Sequence, residues 1–146
     1  MYENNDFKFV VVLDAKVPIG QLMNALSHIV AGLVSLGDLN QFRFLKYVDG
    51  DDTNHPAISF YPFIILKAKN SNHIRKLRND AIKEGILYND FTSSMLGFSA
   101  EDQMQKTRET KEADLEYFGI ALFGAAESLN ALTKRFSLFS LSASIE

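Results

Sequence analysis

The apolar positions of the chain follow two different periods, and the period changes from one segment to the next. Residues 7–13 read FKFVVVL, an almost continuous aromatic and β-branched run. Such a run is typical of a strand that is covered on both faces. After Pro18, apolar residues recur at spacings of three and four; they are Ile19, Leu22, Met23, Leu26, Ile29, Val30 and Leu33. This spacing predicts a helix that begins near Pro18 and ends near Gly37.

The later segments repeat this change from strand to helix. We expect a strand within residues 58–68, strongest at residues 63–66, and further strands over residues 86–91 and 115–123. Helices are expected over residues 70–85, 100–112 and 127–135. Pairing in the first of these strands should begin after Pro62, which has no N–H to donate. Short strands are expected near residues 42–48 and 136–141, with Gly124 turning the chain and residues 142 onward fraying. The order predicts one α/β domain over residues 1–146, with three α/β/α layers and a mixed, roughly four-stranded central sheet.

Composition narrows the classes of function. The 146 residues include no cysteine, so disulfides, thiolate metal sites and cysteine nucleophiles are excluded. The three histidines are widely separated, so we expect no metal and no cofactor. The net charge of −3 provides no general attraction for phosphates, which disfavours nucleic acid as a partner. Residues 1–6 are polar and acidic, unlike a signal peptide, and polar residues interrupt the long apolar stretches. We therefore expect a cytoplasmic protein without membrane association.

The first predicted helix carries the most suggestive polar residues. Gln21, Asn24 and His28 are three and four residues apart, so they share one helix face beside the apolar stripe. This face follows the first strand, and open α/β sheets bind ligands at the carboxyl ends of their strands. The pattern indicates a pocket in which His28 acts as a base or a hydrogen-bond donor. The alternative, which a single histidine favours, is that His28 packs between structural elements.

Three other polar groups invite functional interpretations. Asp90 and Thr92 lie at the end of the third strong strand, where a carboxylate and a hydroxyl could contact the same ligand. The aspartates of the DGDD segment at residues 49–52 lack the spacing of a calcium loop and predict a solvated turn. The basic residues of the second helix, residues 73–78, could bind phosphate but favour a solvated helix face. The sequence contains no G-x-S-x-G elbow, no phosphate loop and no G-x-G-x-x-G motif.

Two segments resemble a known fold family. Residues 9–32 (FVVVLDAKVPIGQLMNALSHIVAG) and residues 118–138 (FGIALFGAAESLNALTKRFSL) are similar to the opening and closing segments of type II peptidyl-tRNA hydrolases. The closer resemblance is to the family called domain of unknown function 2000. That family shows an asparagine and a histidine on the first helix, as Asn24 and His28 do here. It also shows an F-T-x-x-M stretch, as at residues 91–95, and a G-I-A-L-F-G strand, as at residues 119–124.

The resemblance implies a fold and a pocket more strongly than it implies hydrolysis. The hydrolases have a lysine where this chain has Gln21, and a glutamine cannot supply the cation that stabilises an oxyanion. The preferred hypothesis is therefore a peptidyl-tRNA hydrolase-like domain that binds a small or peptide-like ligand near Gln21, Asn24, His28, Asp90 and Thr92. One alternative is an active hydrolase of peptidyl-tRNA or a related ester, with His28 as the base. Another is a non-catalytic interaction module that uses the charged residues 92–114 as its partner surface. Type II peptidyl-tRNA hydrolases commonly dimerise, so the resemblance makes a homodimer possible, although no residue pattern indicates its interface.

Overall fold

The computed structural model describes residues 5–140 and confirms the predicted α/β class with a mixed sheet. The five strands of the main sheet lie in the order β5-β6-β1-β4-β7, and β2 and β3 form a separate two-stranded sheet. The strands are β1 (Phe7–Asp14), β2 (Phe44–Val48), β3 (Asn54–Ser59), β4 (Phe63–Ala68), β5 (Leu87–Thr92), β6 (Tyr117–Ala125) and β7 (Ser137–Leu138). The helices are α1 (Ile19–Leu36), α2 (Ser71–Lys83), α3 (Ala100–Glu109) and α4 (Ala126–Thr133).

Strand β1 lies at the centre of the main sheet because its side chains are apolar on both faces. It pairs with β4 in parallel and with β6 in antiparallel orientation, and residues Phe9 to Asp14 are all buried. Phe9, Val11 and Leu13 pack in one core cluster with the buried stripe of α1. Val10 and Val12 pack in a second cluster with apolar residues of α2 and α4. The continuous apolar run therefore serves two cores at once.

Fewer apolar residues of α1 are buried than the spacing in the sequence predicted. Its buried residues are Leu22, Ala25, Ile29 and Leu33. By length and composition alone, α1 could also cross a membrane, a test that the core helix of a soluble protein passes as well. In the structure, one side of α1 packs against β1, β5 and β6, and 22% of its residues are buried.

The strand predicted within residues 58–68 is confirmed as Phe63–Ala68, which begins directly after Pro62. Asn54–Ser59 pairs with β2, whereas Phe63–Ala68 joins the main sheet. Pro62 has no N–H for a ladder, and its carbonyl accepts a 2.9 Å hydrogen bond from the Phe9 N–H. The expected edge strand near residues 42–48 is consequently half of a separate hairpin. The aspartates between its strands form the predicted turn, in which Asp49 Oδ1 accepts hydrogen bonds from the Asp51 and Thr53 N–H groups.

Two further expectations need correction in the last third of the chain. Gly124 does not turn the chain, because β6 continues to Ala125 through pairs with Lys8 and Phe7 of β1. The main sheet has five strands rather than four, because Ser137–Leu138 pairs with the outer side of β4. The predicted terminal strand is thus present but short, and its last expected residue, Leu141, lies outside the described residues together with the fraying predicted from residue 142.

Candidate functional site

An open cleft of about 550 Å³ lies between α1, the carboxyl half of β5 and the segment that leads into α3. Asn24 and His28 reach it from α1, where their four-residue spacing places them on the same side of the helix. Both residues are exposed, since the opposite side of the helix holds the buried stripe. The cleft is lined by Asn24, His28, Ile29, Asn89, Asp90, Phe91, Met95, Leu96, Gly97 and Gln103. The structure therefore brings together three of the five predicted site residues: Asn24, His28 and Asp90.

The lining combines an apolar floor with amide side chains. Phe91 is buried, and its ring centroid lies 6.0 Å from that of His28. Asn89 Nδ2 donates a 3.0 Å hydrogen bond to the Ile29 carbonyl of α1, and Gln103 Nε2 donates one of 3.2 Å to the Gly97 carbonyl. These bonds fix the two amides relative to the backbone. Together with Asn24 and His28 they supply donors and acceptors without a net charge.

Asp90 points away from His28, although it borders the cleft. Successive side chains of a strand face opposite sides, so Asn89 and Phe91 face α1 whereas Asp90 faces α2. There its Oδ2 accepts a 2.8 Å hydrogen bond from Arg78 Nε within a largely shielded ion pair. Burial acts to lower the pKa of Arg78, but the bond to Asp90 and nearby negative charge raise that pKa overall. Asp90 is thus committed to Arg78 and does not orient the imidazole of His28.

Thr92 contributes to the position of α3 rather than to the cleft surface. It is buried, and its hydroxyl lies 2.7 Å from Ser94 Oγ, which lies 2.9 Å from Thr107 Oγ1. Thr107 donates its own proton to the Gln103 carbonyl. This row of hydroxyls connects the end of β5 to α3 and so holds Gln103 beside the cleft. Gln21 is exposed one turn before Asn24 and is outside the lining residues, so its ligand-binding role stays a prediction.

Two polar residues of the cleft, Asn89 and Gln103, were not predicted from the sequence. Asn89 could have been identified, because it is a polar residue on the side of β5 that packs against a helix. That helix carries Gly32 opposite, where a Cβ would lie 2.5 Å from Asn89 Nδ2. Gln103 had no such signal, because α3 is polar all round and has no buried residue. Only the tertiary contact with residues 93–97 brings Gln103 to the cleft.

A second polar cluster lies on the opposite face of the sheet and is structural in character. Arg75 donates to Glu112 Oε1 at 3.0 Å and to the Leu115 carbonyl at 2.6 Å, and Tyr117 donates its hydroxyl to the same Glu112 oxygen at 2.9 Å. Burial, followed by the bond to Glu112, raises the pKa of Tyr117 to about 12. The bond from Tyr117 lowers the pKa of Glu112. The expected solvated basic face of α2 is therefore only partly solvated, because Arg75 and Arg78 pin residues 112–117 and β5 to the helix.

The geometry supports binding more directly than catalysis. A histidine base is normally oriented by a second group, and within residues 5–140 the His28 side chain has no hydrogen bond or ion pair. Among the described residues that line the cleft, none has a cationic side chain that could stabilise an oxyanion. Arg78 and Lys106 bond to the lining residues Asp90 and Leu96 from outside the cleft. The arrangement can hold a ligand by hydrogen bonds above an apolar floor.

Comparisons with known proteins agree with the fold and leave the chemistry open. A solved structure of a protein of unknown function, Atu0240 from Agrobacterium tumefaciens strain C58, is similar with a TM-score of 0.79 and 19% identity. The match covers 94% of this chain and 100% of the other. No curated protein matches the chain. The resemblance to type II peptidyl-tRNA hydrolases stays a prediction. Residues 7–140 match the family described as protein of unknown function (DUF2000), and the chain belongs to that family, as the residues around Asn24, His28 and Met95 had indicated.

Proposed function

We propose that the cleft between α1 and β5 binds a small, uncharged peptide-like ligand. The observation that carries the proposal is the set of three amide side chains and one imidazole around an apolar floor. Each peptide group has one donor and one acceptor, and each side-chain amide can match both at once. Asn24, Asn89 and Gln103 therefore suit the ligand backbone, while Phe91 and Met95 suit an apolar side chain.

The charges around the cleft favour this ligand over a phosphate-bearing one. A tRNA or nucleotide ligand would call for lysine or arginine at the cleft, and the lining residues include neither. Asp90 is the charged residue of the lining, and its carboxylate is already paired with Arg78. Since a neutral amide ligand leaves no charge uncompensated on burial, it fits these surroundings.

The direct test is a two-dimensional NMR titration of ¹⁵N-labelled protein with a set of N-acetylated dipeptide amides. We expect concentrated shift changes at Asn24, His28, Asn89 and Gln103, including the side-chain amide signals. Asn24→Ala and His28→Ala should each weaken binding about tenfold, the size of one or two lost hydrogen bonds in a partly dry site.

Matched controls separate the cleft from the rest of the surface. Ser27→Ala changes an exposed polar residue on the same helix outside the cleft, and His73→Ala removes an exposed histidine on another helix. Both should bind like the wild type. If all four variants bind equally, or if the shift changes fall elsewhere, the ligand does not occupy this cleft.

A turnover assay distinguishes binding from hydrolysis. Wild type, His28→Ala and Gln21→Lys are given an N-blocked aminoacyl-tRNA. We expect no turnover by the wild type, because the chain has Gln21 in place of a lysine and His28 has no orienting partner. Turnover by the wild type that disappears in His28→Ala would replace the binding proposal with an esterase.

A further inference from the structure

Strands β2 and β3 form a hairpin arm, residues 44–59, that exposes apolar side chains. Every residue of β2 is exposed, as is every residue of β3 except Ser59. In the part of the chain that the structure describes, neither strand packs extensively against any other helix or strand. The apolar side chains are between 37% and 57% exposed; they are Phe44, Leu45, Tyr47, Val48 and Ile58. Exposure of this extent marks an interaction surface rather than ordinary surface scatter.

The exposed apolar residues occupy both faces of the arm. Leu45 pairs with Ile58 across the ladder, and Tyr47 pairs with His55 after a register shift. The extra residue of the shift belongs to β3, so alternation along β2 places Tyr47 on the same face as Leu45. Phe44 and Val48 alternate with them and therefore face the other way. A two-stranded hairpin is only marginally stable in water by itself. An arm that is apolar on both faces is stabilised when another surface encloses it.

An apolar cleft opens at the base of this arm. This basal cleft, of about 450 Å³, is lined by Phe7, Asn40, Gln41, Tyr61, Gly85, Ile86, Leu87, Phe123, Gly124, Ala125 and Ser128. Its lining carries no charged side chain and is therefore compatible with the apolar body of the arm. Gln41 and Tyr61 stand within three residues of the two ends of the arm. The projection and the cleft are thus neighbours on one surface.

We propose that a second copy of this chain fills the basal cleft with its arm, so that two chains exchange arms about a two-fold axis. A two-fold axis beside the base of the arm brings each arm to the partner's cleft in two identical contacts. With six or seven residues from base to tip, the arm is about 20 Å long at 3.3 Å per residue. It leaves the body next to its own cleft, so it reaches a partner's cleft without folding back on itself.

The exposed area is sufficient for a stable dimer. Five large apolar side chains that are about half exposed offer roughly 400 Å² per arm. The wall of the cleft is smaller than the exposed part of the arm, so the arm must also cover partner surface around the cleft. If each arm covers as much partner surface as it buries of its own, two reciprocal contacts bury roughly 1,600 Å², the usual size of a specific interface. The arm's carboxylates, Asp49, Asp51 and Asp52, are confined to its tip, so they remain in water when the apolar part is covered. Lys46 lies within β2, and its long side chain keeps its ammonium group in water at the edge of the contact.

Sedimentation equilibrium over a concentration series tests the assembly. We expect the wild type to be a dimer of the 16.4 kDa chain. Tyr47→Asp in the arm and Ser128→Arg at the exposed cleft wall should each raise the dissociation constant about 30-fold or more. Met23→Asp changes an equally exposed apolar residue of α1 and should leave the dimer intact. The proposal fails if the wild type is still monomeric at about 100 μM, roughly 100 times the dissociation constant of a μM-affinity complex. It also fails if the Tyr47→Asp protein dimerises with unchanged affinity.

Disulfide trapping tests which surfaces meet, because the natural sequence has no cysteine. One chain carries Tyr47→Cys and a separate chain carries Ser128→Cys. Oxidation of the mixture should give a covalent heterodimer, whereas Met23→Cys mixed with Ser128→Cys should give none. Cross-links confined to pairs of Tyr47→Cys chains would show that arms meet arms, which contradicts the arm-in-cleft contact. If one chain that carries both Tyr47→Cys and Ser128→Cys closed the disulfide within itself, the arm would occupy its own cleft, and this result would also contradict the contact between two chains.

Discussion

Replacement of Gly32 by alanine probes the contact that joins α1 to β5 beneath the cleft. A Cβ at this position would lie 2.5 Å from Asn89 Nδ2, which is closer than two such atoms can approach. The Asn89 side chain must then move, and its 3.0 Å hydrogen bond to the Ile29 carbonyl is lost. Alanine by itself favours a helix over glycine by about 1 kcal/mol. The lost hydrogen bond costs about 1 kcal/mol. Gly32→Ala should therefore change the free energy of unfolding by close to zero.

The same replacement should have a different effect when Asn89 is absent. In an Asn89→Ala background nothing obstructs the new methyl group, so Gly32→Ala should stabilise the protein by about 1 kcal/mol. The double-mutant cycle should therefore show a coupling energy of about 1 kcal/mol between the two positions. Urea denaturation of the four proteins, with unchanged m-values, measures this coupling. If Gly32→Ala stabilises both backgrounds equally, the side chains are not in contact and the reasoning fails.

Three further predictions concern the stability of the folded chain. Tyr117→Phe should destabilise the protein by about 1 kcal/mol in urea at pH 7, because it removes the hydroxyl that donates to Glu112. The pKa of Tyr117 in the folded protein is raised to about 12, so wild-type stability should fall as the pH rises from 10 toward 12. Tyr117→Phe should lack this loss. Parallel pH profiles of stability for the two proteins would contradict this pKa shift. Gly85→Ala should cost about 1 kcal/mol because φ is +68° there, and a neutral effect in thermal unfolding would argue against that conformation. Asn70→Ala removes the side-chain acceptor for the His73 N–H at the start of α2 and should cost about 1 kcal/mol in urea denaturation. Asn79→Ala, at an exposed asparagine inside the same helix, serves as the comparison and should cost nothing.

The predicted elements that depend on local pattern were confirmed closely. The helix expected after Pro18 is Ile19–Leu36, and the helix expected over residues 100–112 is Ala100–Glu109 with Ser99 as its cap. Local pattern succeeds here because caps and apolar period act within a few residues. The breadth of the α1 stripe was overestimated: Met23 is 62% exposed, while Ala25 is fully buried. A hydrophobic side chain at the right spacing contacts the sheet only if the crossing of helix and sheet brings it there.

The site was predicted in part, for a related reason. Asn24 and His28 share the cleft because a spacing of four fixes their common helix side whatever the sheet does. The strand pattern predicted that Asp90 lies at the end of β5, but the sequence does not indicate which face of the strand meets α1 and which meets α2. Its pairing with Arg78 was consequently missed. Gln103 was missed because a polar helix carries no periodic signal that reports its neighbours.

Local sequence patterns specified the types and order of the elements, the central position of an almost wholly apolar strand and the shared helix side of Asn24 and His28, since each depends on residues close together in the chain. The tertiary structure alone decided the contacts between distant segments. It separated β3 from β4, directed Asp90 to Arg78, brought Gln103 to the cleft and left the β2–β3 arm without cover from its own chain. These outcomes depend on which strand faces pack against which helices. An alternating sequence pattern separates the two faces of a strand, but it does not specify which element covers each face.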